Sequence, residues 1–417
     1  MNNKKINCFI ADLTHTKQGV QAKCFPLGAG LVAEYAKQEV GDILNIELYK
    51  YPEDLEQACK RHQPKILALS NYAWNQELAF TFVKAYKLIN KDAIIIIGGP
   101  NFPYSVQERK DFLLQHNLID FYIFGEGELG VVELLKDIIA NDYDIEKVKS
   151  QKKERDNCSY MYKSEIYSGS YLRIKNIKEM PSPYLNGSFD KYFEEDLIPL
   201  YETTRGCPFS CTFCADGKDE VNQVNNFSIE RVKEELDYIV KHKHKDTHNM
   251  IFSDLNFGML PGDLETSNTI ASMKTKYNYP HRILATTGKN NKERIIKSVE
   301  SLNGILSLSM SVQSLDENVL KNIQRSNIST DEMLGLMPTI KKSGLSTIAE
   351  VIVGLPGETY ESNLETIRKL VNAKLDDILQ YTCMILQGSE MGTPEQVSKW
   401  KFETKYQILP EDFTTLS

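Results

Sequence analysis

The chain has 417 residues, of which 41% are hydrophobic and 25% are charged, and its formal net charge is −8. This length predicts two or three globular domains. The acidic balance disfavours binding to nucleic acid, because surfaces that bind its phosphates are usually basic.

The N-terminal segment carries no pattern of export or membrane insertion. The apolar run from Ile6 to Ile10 is too short for the core of a signal peptide. No apolar stretch of the sequence reaches the roughly 18 residues of a membrane-spanning helix. We therefore expect a cytoplasmic protein without a membrane span.

Residues 1–140 alternate apolar, strand-like segments with helix-like segments. The candidate helices cover 27–38, 53–61 and 76–88, and the candidate strands cover 6–11, 43–49, 66–70, 93–97 and 121–124. Strands that are apolar throughout and are separated by helices are typical of a parallel sheet covered on both faces. The prediction is a doubly wound, Rossmann-like α/β domain of about five strands.

Residues 141–195 are richer in polar residues, and we expect a connector with short strands, including a hairpin near 160–167.

Residues 196–390 return to alternating strands and helices. Six candidate strands cover 198–203, 250–254, 283–286, 305–312, 347–353 and 378–384. Six such units predict a partial (β/α)6 barrel related to the complete TIM barrel, with its chemistry at the carboxyl ends of the strands. Residues 391–417 lack periodicity and are expected to be a tail or the start of a truncated C-terminal region.

Three of the eight cysteines, Cys207, Cys211 and Cys214, lie within eight residues, just after the first predicted barrel strand. Clustered cysteines in a long cytosolic chain more often bind metal than form disulfides. Four cysteines saturate a [4Fe–4S] cluster, so three leave one iron open, as a catalytic metal site requires. One alternative is a zinc knuckle completed by Cys383 or a histidine, although zinc sites more often use two C-x2-C pairs. The other alternative is a chance grouping of cysteines.

The C-x3-C-x2-C spacing, with Phe213 before the last cysteine, resembles the signature of the radical S-adenosylmethionine (SAM) superfamily. The resemblance implies that Cys207, Cys211 and Cys214 hold a [4Fe–4S] cluster whose open iron binds the amino and carboxylate groups of SAM. It also implies that a flavodoxin or a ferredoxin reduces the cluster, and that SAM is then cleaved to methionine and a 5′-deoxyadenosyl radical.

Polar residues and glycines near the ends of the second, fourth and fifth predicted barrel strands resemble the SAM-binding motifs of the superfamily. Asp254 and Asn256 would face the amino group of SAM, and Arg325 would face its carboxylate. Each position also fits an ordinary turn between a strand and a helix, which needs glycine and proline. The motifs follow the cysteines along the chain in the same order as in the superfamily, and this order favours SAM binding. The implied SAM contacts are Asp254, Asn256, Ser311, Gln313, Arg325, Glu350, Gly354 and Pro356.

Residues 1–140 resemble the cobalamin (B12)-binding domain that precedes the barrel in one branch of the superfamily. There the nucleotide tail of cobalamin inserts at strand ends, and Ser70, Gly98 and Gly99 stand at the corresponding positions. The family's D-x-H-x-x-G loop, whose histidine binds cobalt, is absent, because His15 follows Asp12 at a different spacing. His15 is therefore expected to contact the corrin ring or its own loop, with cobalt binding as the lesser alternative. A doubly wound domain that only packs on the barrel is the other alternative.

Together these resemblances imply a cobalamin-dependent radical SAM enzyme that methylates an unactivated carbon of a small molecule, natural product or lipid. A radical rearrangement or cyclisation without methyl transfer is one alternative, and a cobalamin-binding module that has lost catalysis is another. Catalytic residues beyond the cofactor contacts and the substrate itself do not follow from the sequence.

Overall fold

The computed structural model describes residues 5–16, 22–288, 291–325, 335, 337–338, 340 and 345–405. The chain divides into two compact units. The first comprises Met1–Phe189 and Glu403–Ser417, and the second comprises Asp190–Phe402. Among the described helices, none has both the length and the apolar character needed to cross a bilayer.

The first unit is built on one seven-stranded sheet. Its helices are α1 (Leu27–Val40), α2 (Pro52–His62), α3 (Gln76–Ile89), α4 (Val106–Gln115), α5 (Gly127–Ala140) and α6 (Ile145–Ser150). Its strands are β1 (Ile6–Ala11), β2 (Leu44–Tyr49), β3 (Ile66–Ser70), β4 (Ile94–Gly98), β5 (Phe121–Ile123), β6 (Cys158–Tyr162) and β7 (Glu165–Ser168).

The strand order of this sheet is β2-β1-β3-β4-β5-β6-β7. The first five strands run parallel, as the unbroken apolar runs predict, and β4 is buried from Ile94 to Ile97. The predicted hairpin near 160–167 is confirmed, since β6 and β7 pair antiparallel and extend the sheet from β5. Strand order reverses between β1 and β3, which is where doubly wound sheets bind ligands.

Among its described residues, the second unit contains two three-stranded parallel sheets and a short antiparallel pair of strands. Its helices are α7 (Ile229–His242), α8 (Asp263–Tyr277), α9 (Lys292–Ser301), α10 (Glu317–Asn322), α11 (Tyr360–Asn372) and α12 (Pro394–Trp400). Its strands are β8 (Leu200–Tyr201), β9 (Thr204–Arg205), β10 (Asn225–Asn226), β11 (Asn249–Phe252), β12 (Arg282–Leu284), β13 (Leu308–Gln313), β14 (Thr347–Val353) and β15 (Asp377–Thr382). The orders of the parallel sheets are β12-β11-β8 and β13-β14-β15, and β9 pairs with β10.

The predicted α/β architecture, a doubly wound domain followed by a partial barrel, is confirmed. The Ile283 N–H donates to the Ile305 carbonyl at 2.8 Å and links β12 to the segment before β13. Short 3₁₀ helices lie at Ile177–Glu179, Asp190–Glu194, Asp219–Val221 and Glu390–Gly392.

Side-chain alternation along β14 separates the packed face of the barrel from its functional face. Ala349 and Val351 are buried in one apolar cluster with Leu370 of α11. Because successive residues of a strand point to opposite faces, Glu350 points away from that cluster. Ser311 on β13 stands directly opposite Glu350 in the parallel register. Both side chains therefore face the inner side of the barrel wall.

Candidate functional site

The three clustered cysteines lie on the loop between β9 and β10. Cys207 and Cys211 are buried, Cys214 is half-buried, and none of the three forms a disulfide. Backbone hydrogen bonds shape the loop, since the Cys207 N–H donates to the Val221 carbonyl at 3.1 Å and the Cys214 N–H donates to the Cys211 carbonyl at 3.0 Å. The loop is thus folded back on itself around the three thiols.

Two glycines allow this loop to close tightly. Gly206 has φ +108°, a left-handed conformation that side chains disfavour, and a Cβ there would collide with the Gln223 carbonyl oxygen. A Cβ on Gly217 would collide with the Cys211 carbonyl oxygen. The positions on both sides of the cysteines therefore require glycine for steric reasons.

Asp254 fixes the stem of the cysteine loop. Its carboxylate accepts hydrogen bonds from the backbone N–H groups of Thr203 and Thr204 at 2.9 and 2.6 Å, and from their hydroxyls at 2.7 and 3.0 Å. Burial raises the pKa of Asp254 to about 7, although these hydrogen bonds act in the opposite direction. The structure thus places Asp254 beneath the cysteine loop, and its predicted contact with SAM stays a prediction.

Asn256 reaches the first cysteine. Its Nδ2 donates to Cys207 Sγ at 3.3 Å. Its Oδ1 is buried and has no hydrogen-bond partner among the described residues. Buried polar atoms are almost always paired. An unpaired acceptor beside a thiol therefore indicates that a bound ligand donates a hydrogen bond to it.

Arg325 reaches the second cysteine. Its Nη1 donates to Cys211 Sγ at 3.7 Å, and its Nη2 donates to the Ser311 carbonyl. The Ser311 hydroxyl in turn donates to Glu350 Oε2. Burial lowers the pKa of Arg325, and the neighbouring cysteines act in the opposite direction. Three residues predicted from separate motifs, Ser311, Arg325 and Glu350, are therefore joined in one network beside the cysteines.

The remaining predicted SAM contacts lie in tight backbone turns. Gln313 has φ +64° where the pairing of β13 with β14 becomes irregular. Gly354 has φ +89°, and its N–H donates to Glu358 Oε2 at 2.6 Å. The Pro356 carbonyl accepts from Asn322 Nδ2 at 3.0 Å. These bonds shape the turns, and contact of the three residues with SAM stays a prediction.

The donor set fits an iron–sulfur cluster better than a single metal ion. Among the described residues, no three His, Cys, Asp or Glu side chains are gathered closely enough to hold one ion. A zinc knuckle needs four ligands around one ion, so that alternative has no support. In a cluster each cysteine binds a different iron, and its thiolates stand further apart than the ligands of one ion. Three thiols on one loop, of which Cys207 and Cys211 accept hydrogen bonds, can each bind a different iron of a cluster.

In the first unit, Ser70 takes part in a network at the strand-order reversal. The Ser70 hydroxyl donates to Asp12 Oδ1 at 2.5 Å and accepts from Asn75 Nδ2 at 3.0 Å. Asn75 Nδ2 also donates to the Leu13 carbonyl at 3.1 Å. Burial raises the pKa of Asp12, whereas Ser70 and Lys50 lower it. The predicted cobalamin contact of Ser70 stays a prediction.

The two adjacent glycines permit close packing of neighbouring strand ends. Gly99 has φ +131°, and a Cβ there would lie 2.6 Å from the Asn71 carbonyl oxygen. A Cβ on Gly98 would lie 3.3 Å from the Ile123 carbonyl oxygen. Asn71 is fully buried and donates to the Tyr122 hydroxyl at 2.9 Å. Backbone packing accounts for Gly99 and disfavours a side chain at Gly98, and the role of both glycines in cobalamin binding stays a prediction.

Sequence reasoning missed a buried lysine in the same region. Lys50 is only 2% exposed, and its Nζ donates to the Ala22 carbonyl at 2.7 Å. The sequence could have indicated this lysine, because Asp12 and Lys50 each directly follow one of two adjacent parallel strands, β1 and β2. His15 is half-buried on the loop that starts at Asp12. Residues 17–21 of that loop lie outside the described residues, and so do residues 406–417 of the predicted tail.

Two family models match the two parts of the chain. The model of the radical SAM superfamily matches residues 201–370. The model of the B12 binding domain matches residues 18–135.

Two curated relatives are similar to this chain over most of its length. The chain is 29% identical over 396 residues to the cobalamin-dependent radical SAM methyltransferase TokK of Streptomyces tokunonensis. It is 30% identical over 394 residues to the 2-(S-pantetheinyl)-carbapenam-3-carboxylate methyltransferase of Streptantibioticus cattleyicolor. Each alignment covers 91% of this chain and 56% of the relative. The chain thus spans little more than half the length of these relatives.

Solved structures show the same fold. The cobalamin-dependent S-adenosylmethionine radical enzyme OxsB, with aqua-cobalamin and S-adenosylmethionine bound, matches 95% of this chain and 55% of its own, with a TM-score of 0.66 and 18% identity. The radical S-adenosylmethionine methyltransferase TsrM of Kitasatospora setae, with cobalamin and a [4Fe-4S] cluster bound, matches 93% of this chain and 74% of its own, with a TM-score of 0.66 and 12% identity.

Proposed function

We propose that this chain, which belongs to the radical SAM superfamily and carries a B12 binding domain, is the cofactor-binding part of a cobalamin-dependent radical SAM methyltransferase. The names of the curated relatives support methyl transfer as the reaction. In such an enzyme the cluster supplies the electron that cleaves SAM, and cobalamin supplies a carrier for the methyl group. The acceptor we propose is an unactivated carbon of a small molecule, natural product or lipid.

The observation that carries the proposal is the pair of donors at two of the three cysteine sulfurs. Asn256 approaches Cys207, and Arg325 approaches Cys211, from separate strand ends. Hydrogen bonds from an amide and a guanidinium are contacts that the sulfurs of an iron–sulfur cluster accept. We therefore assign Cys207, Cys211 and Cys214 as the cluster ligands.

SAM binding is assigned to the network beside the cysteines. The guanidinium of Arg325, held by the Ser311 carbonyl, can pair with a carboxylate. The unpaired Oδ1 of Asn256 can accept from an ammonium group. The turns at Gln313, Gly354 and Pro356, with Glu350 and Asp254, complete the proposed SAM contacts.

Cobalamin is assigned to the first unit. The strand-order reversal between β1 and β3 brings Ser70 to the edge where doubly wound sheets bind ligands. Ser70, Gly98 and Gly99 are the proposed contacts of the nucleotide tail, and His15 is a proposed contact of the corrin ring. A flavodoxin or a ferredoxin in the cytoplasm is the proposed source of electrons.

Anaerobic reconstitution with iron and sulfide tests the cluster assignment. The wild-type chain is expected to retain iron and to release 5′-deoxyadenosine from SAM under dithionite. The triple variant Cys207→Ala, Cys211→Ala, Cys214→Ala is expected to do neither, whereas Cys383→Ala, a matched change at a half-buried cysteine of the same unit, should behave as wild type. Iron retention and 5′-deoxyadenosine release by the triple variant would contradict the proposal.

Methyl transfer and cobalamin binding need separate measurements. The chain is expected to retain cobalamin through gel filtration, as recorded by its visible absorbance. With SAM labelled in its methyl group and a reductant strong enough to form cob(I)alamin, such as titanium(III) citrate, the label is expected on cobalamin, with S-adenosylhomocysteine as the leaving group. A chain that holds the cluster and cleaves SAM but never binds cobalamin would limit the function to SAM cleavage.

A further inference from the structure

The orientation of the Asn256 amide follows from its neighbour. A sulfur that binds iron has lone pairs but no proton, so it can only accept a hydrogen bond. The Nδ2 atom of Asn256 must then face Cys207, at the observed 3.3 Å, and Oδ1 must face away. Asn256 is only 6% exposed, so water does not freely reach this oxygen. One buried side chain thus presents a donor to the sulfur and an unpaired acceptor to the space beside it.

Arg325 repeats half of this arrangement at a second sulfur. Its Nη1 lies 3.7 Å from Cys211 Sγ, and its other nitrogen is held by the Ser311 carbonyl. Arg325 is only 6% exposed. Its positive charge therefore interacts more strongly with the neighbouring sulfur than it would in water. Two of the three sulfurs therefore receive a hydrogen bond, one from a neutral group and one from a cation.

We infer that Asn256 and Arg325 raise the reduction potential of the cluster, a role that for Asn256 comes in addition to the ammonium contact already proposed. The inference rests on the proposed function, because it requires the cluster. The reduced cluster carries one more negative charge than the oxidised cluster. Hydrogen bonds to its sulfurs stabilise that charge and make reduction easier.

The double role explains why an asparagine occupies this position. Leucine would fill a similar volume without an unpaired buried oxygen, which is costly in the absence of a ligand. Aspartate would offer an acceptor to SAM but no donor to the sulfur. A primary amide supplies both groups from one short side chain, and it links the cluster that accepts the electron to the SAM molecule that is cleaved.

The test separates the two roles by substitution. Asn256→Leu removes both the donor and the acceptor, whereas Asn256→Asp keeps an acceptor for the ammonium group. Asn268→Leu, on the exposed side of α8, is the matched control for the change to leucine. Arg325→Met removes the second donor, and Arg368→Met, exposed on α11, is its control.

The reduction potential is measured without SAM, by redox titration of the EPR signal of the reduced cluster. Asn256→Leu and Arg325→Met are each expected to shift it to a more negative value, by at least a tenfold loss in the reduction equilibrium, which is about 59 mV for a one-electron couple. SAM affinity is measured by equilibrium dialysis. It should fall more than about tenfold in Asn256→Leu, the loss of a charge-assisted hydrogen bond, and stay near wild type in Asn256→Asp.

The outcomes distinguish this inference from the function on which it rests. A wild-type chain that never holds a cluster overturns the proposed function. Clusters that load normally but keep the wild-type potential in both Asn256→Leu and Arg325→Met overturn the tuning role. Equal SAM affinity in Asn256→Leu and wild type overturns the ammonium contact. Should Asn256→Leu fail to retain iron, the potential of Arg325→Met decides the tuning role and Asn256→Asp decides the SAM contact.

Discussion

Ser311 and Glu350 lie opposite each other on the parallel strands β13 and β14, and the Ser311 hydroxyl donates to the Glu350 carboxylate. The carbonyl of the same serine accepts from Arg325. Ser311 therefore connects an acidic and a basic side chain, one on a strand and one just after a helix. This connection fixes the direction of the Arg325 guanidinium towards Cys211.

Replacing Glu350 should weaken SAM binding without loss of the cluster. In Glu350→Leu the Ser311 hydroxyl loses its acceptor, so Ser311, whose carbonyl accepts from Arg325, holds the guanidinium less firmly. We expect the dissociation constant of SAM to rise roughly tenfold, since a hydrogen bond to a charged group contributes about 1.5–3 kcal/mol. Equilibrium dialysis on reconstituted protein checks this, with Glu361→Leu on the exposed side of α11 as control. An unchanged dissociation constant would contradict the assigned role.

Replacing Asp254 should change how stability depends on pH. Burial raises the pKa of Asp254 in the folded protein to about 7, above that of an unfolded aspartate, so the folded state binds the proton more tightly. Stability from this group is therefore present at low pH and is lost as the pH rises towards 7. Asp254→Asn should remove this slope, and its stability deficit should be smaller at about pH 8 than at about pH 5.

Denaturant unfolding at the two pH values measures this difference, and Asp237→Asn on the exposed side of α7 is the control. A deficit that stays constant or grows with pH would contradict the prediction. Because the Asp254 carboxylate accepts from Thr203 and Thr204 directly before the cysteine loop, iron content should fall together with stability.

Gly206→Ala should destabilise the cysteine loop. The φ of +108° disfavours any side chain, and the added Cβ would collide with the Gln223 carbonyl oxygen. The conformational strain alone costs about 1–3 kcal/mol. We expect a lower midpoint of thermal unfolding and reduced iron content after reconstitution. Gly262→Ala is the matched control, since nothing lies within 4 Å of its Cβ position, and equal iron content in both variants would argue against the prediction.

Acidification should destabilise the second unit through a histidine pair. The rings of His248 and His281 stack at 4.7 Å with an interplanar angle of 1°. Desolvation, with smaller contributions from Lys274 and His248, lowers the pKa of His281. Stability from this group is therefore complete above the ordinary histidine pKa and is lost as the pH falls below it. His281→Gln should flatten the pH dependence of unfolding on the acidic side, as followed by denaturant titration, and an unchanged profile would exclude this contribution.

The fold was predictable where burial leaves a continuous apolar run. Ile94–Gly98 is an example, because a central parallel strand is covered on both faces. Helix α4 was missed because its pattern is mostly polar. Its start nevertheless carries a capping box, in which Ser105 accepts from the Glu108 N–H, and the S-x-x-E spacing announces that motif.

The site was only partly predictable. The spacing of Cys207, Cys211 and Cys214 is local, so the sequence displays it directly. The contacts of Asp254 with Thr203 and Thr204 join residues about fifty positions apart, and only the pairing of β8 with β11 brings them together. Comparison of motifs predicts only that the Asp254 carboxylate contacts SAM. The structure shows that this carboxylate also accepts hydrogen bonds from the residues directly before the cysteine loop.

The two donors to the cysteine sulfurs come from distant parts of the chain. Asn256 lies 49 residues from Cys207, and Arg325 lies 114 residues from Cys211. Contacts between such distant residues form late, because long loops must close first. A nascent or partly unfolded chain therefore carries these thiols without their hydrogen bonds and open to oxidants. Insertion of iron after the second unit has folded, under anaerobic conditions, should give a higher yield of intact metalloprotein than insertion during refolding.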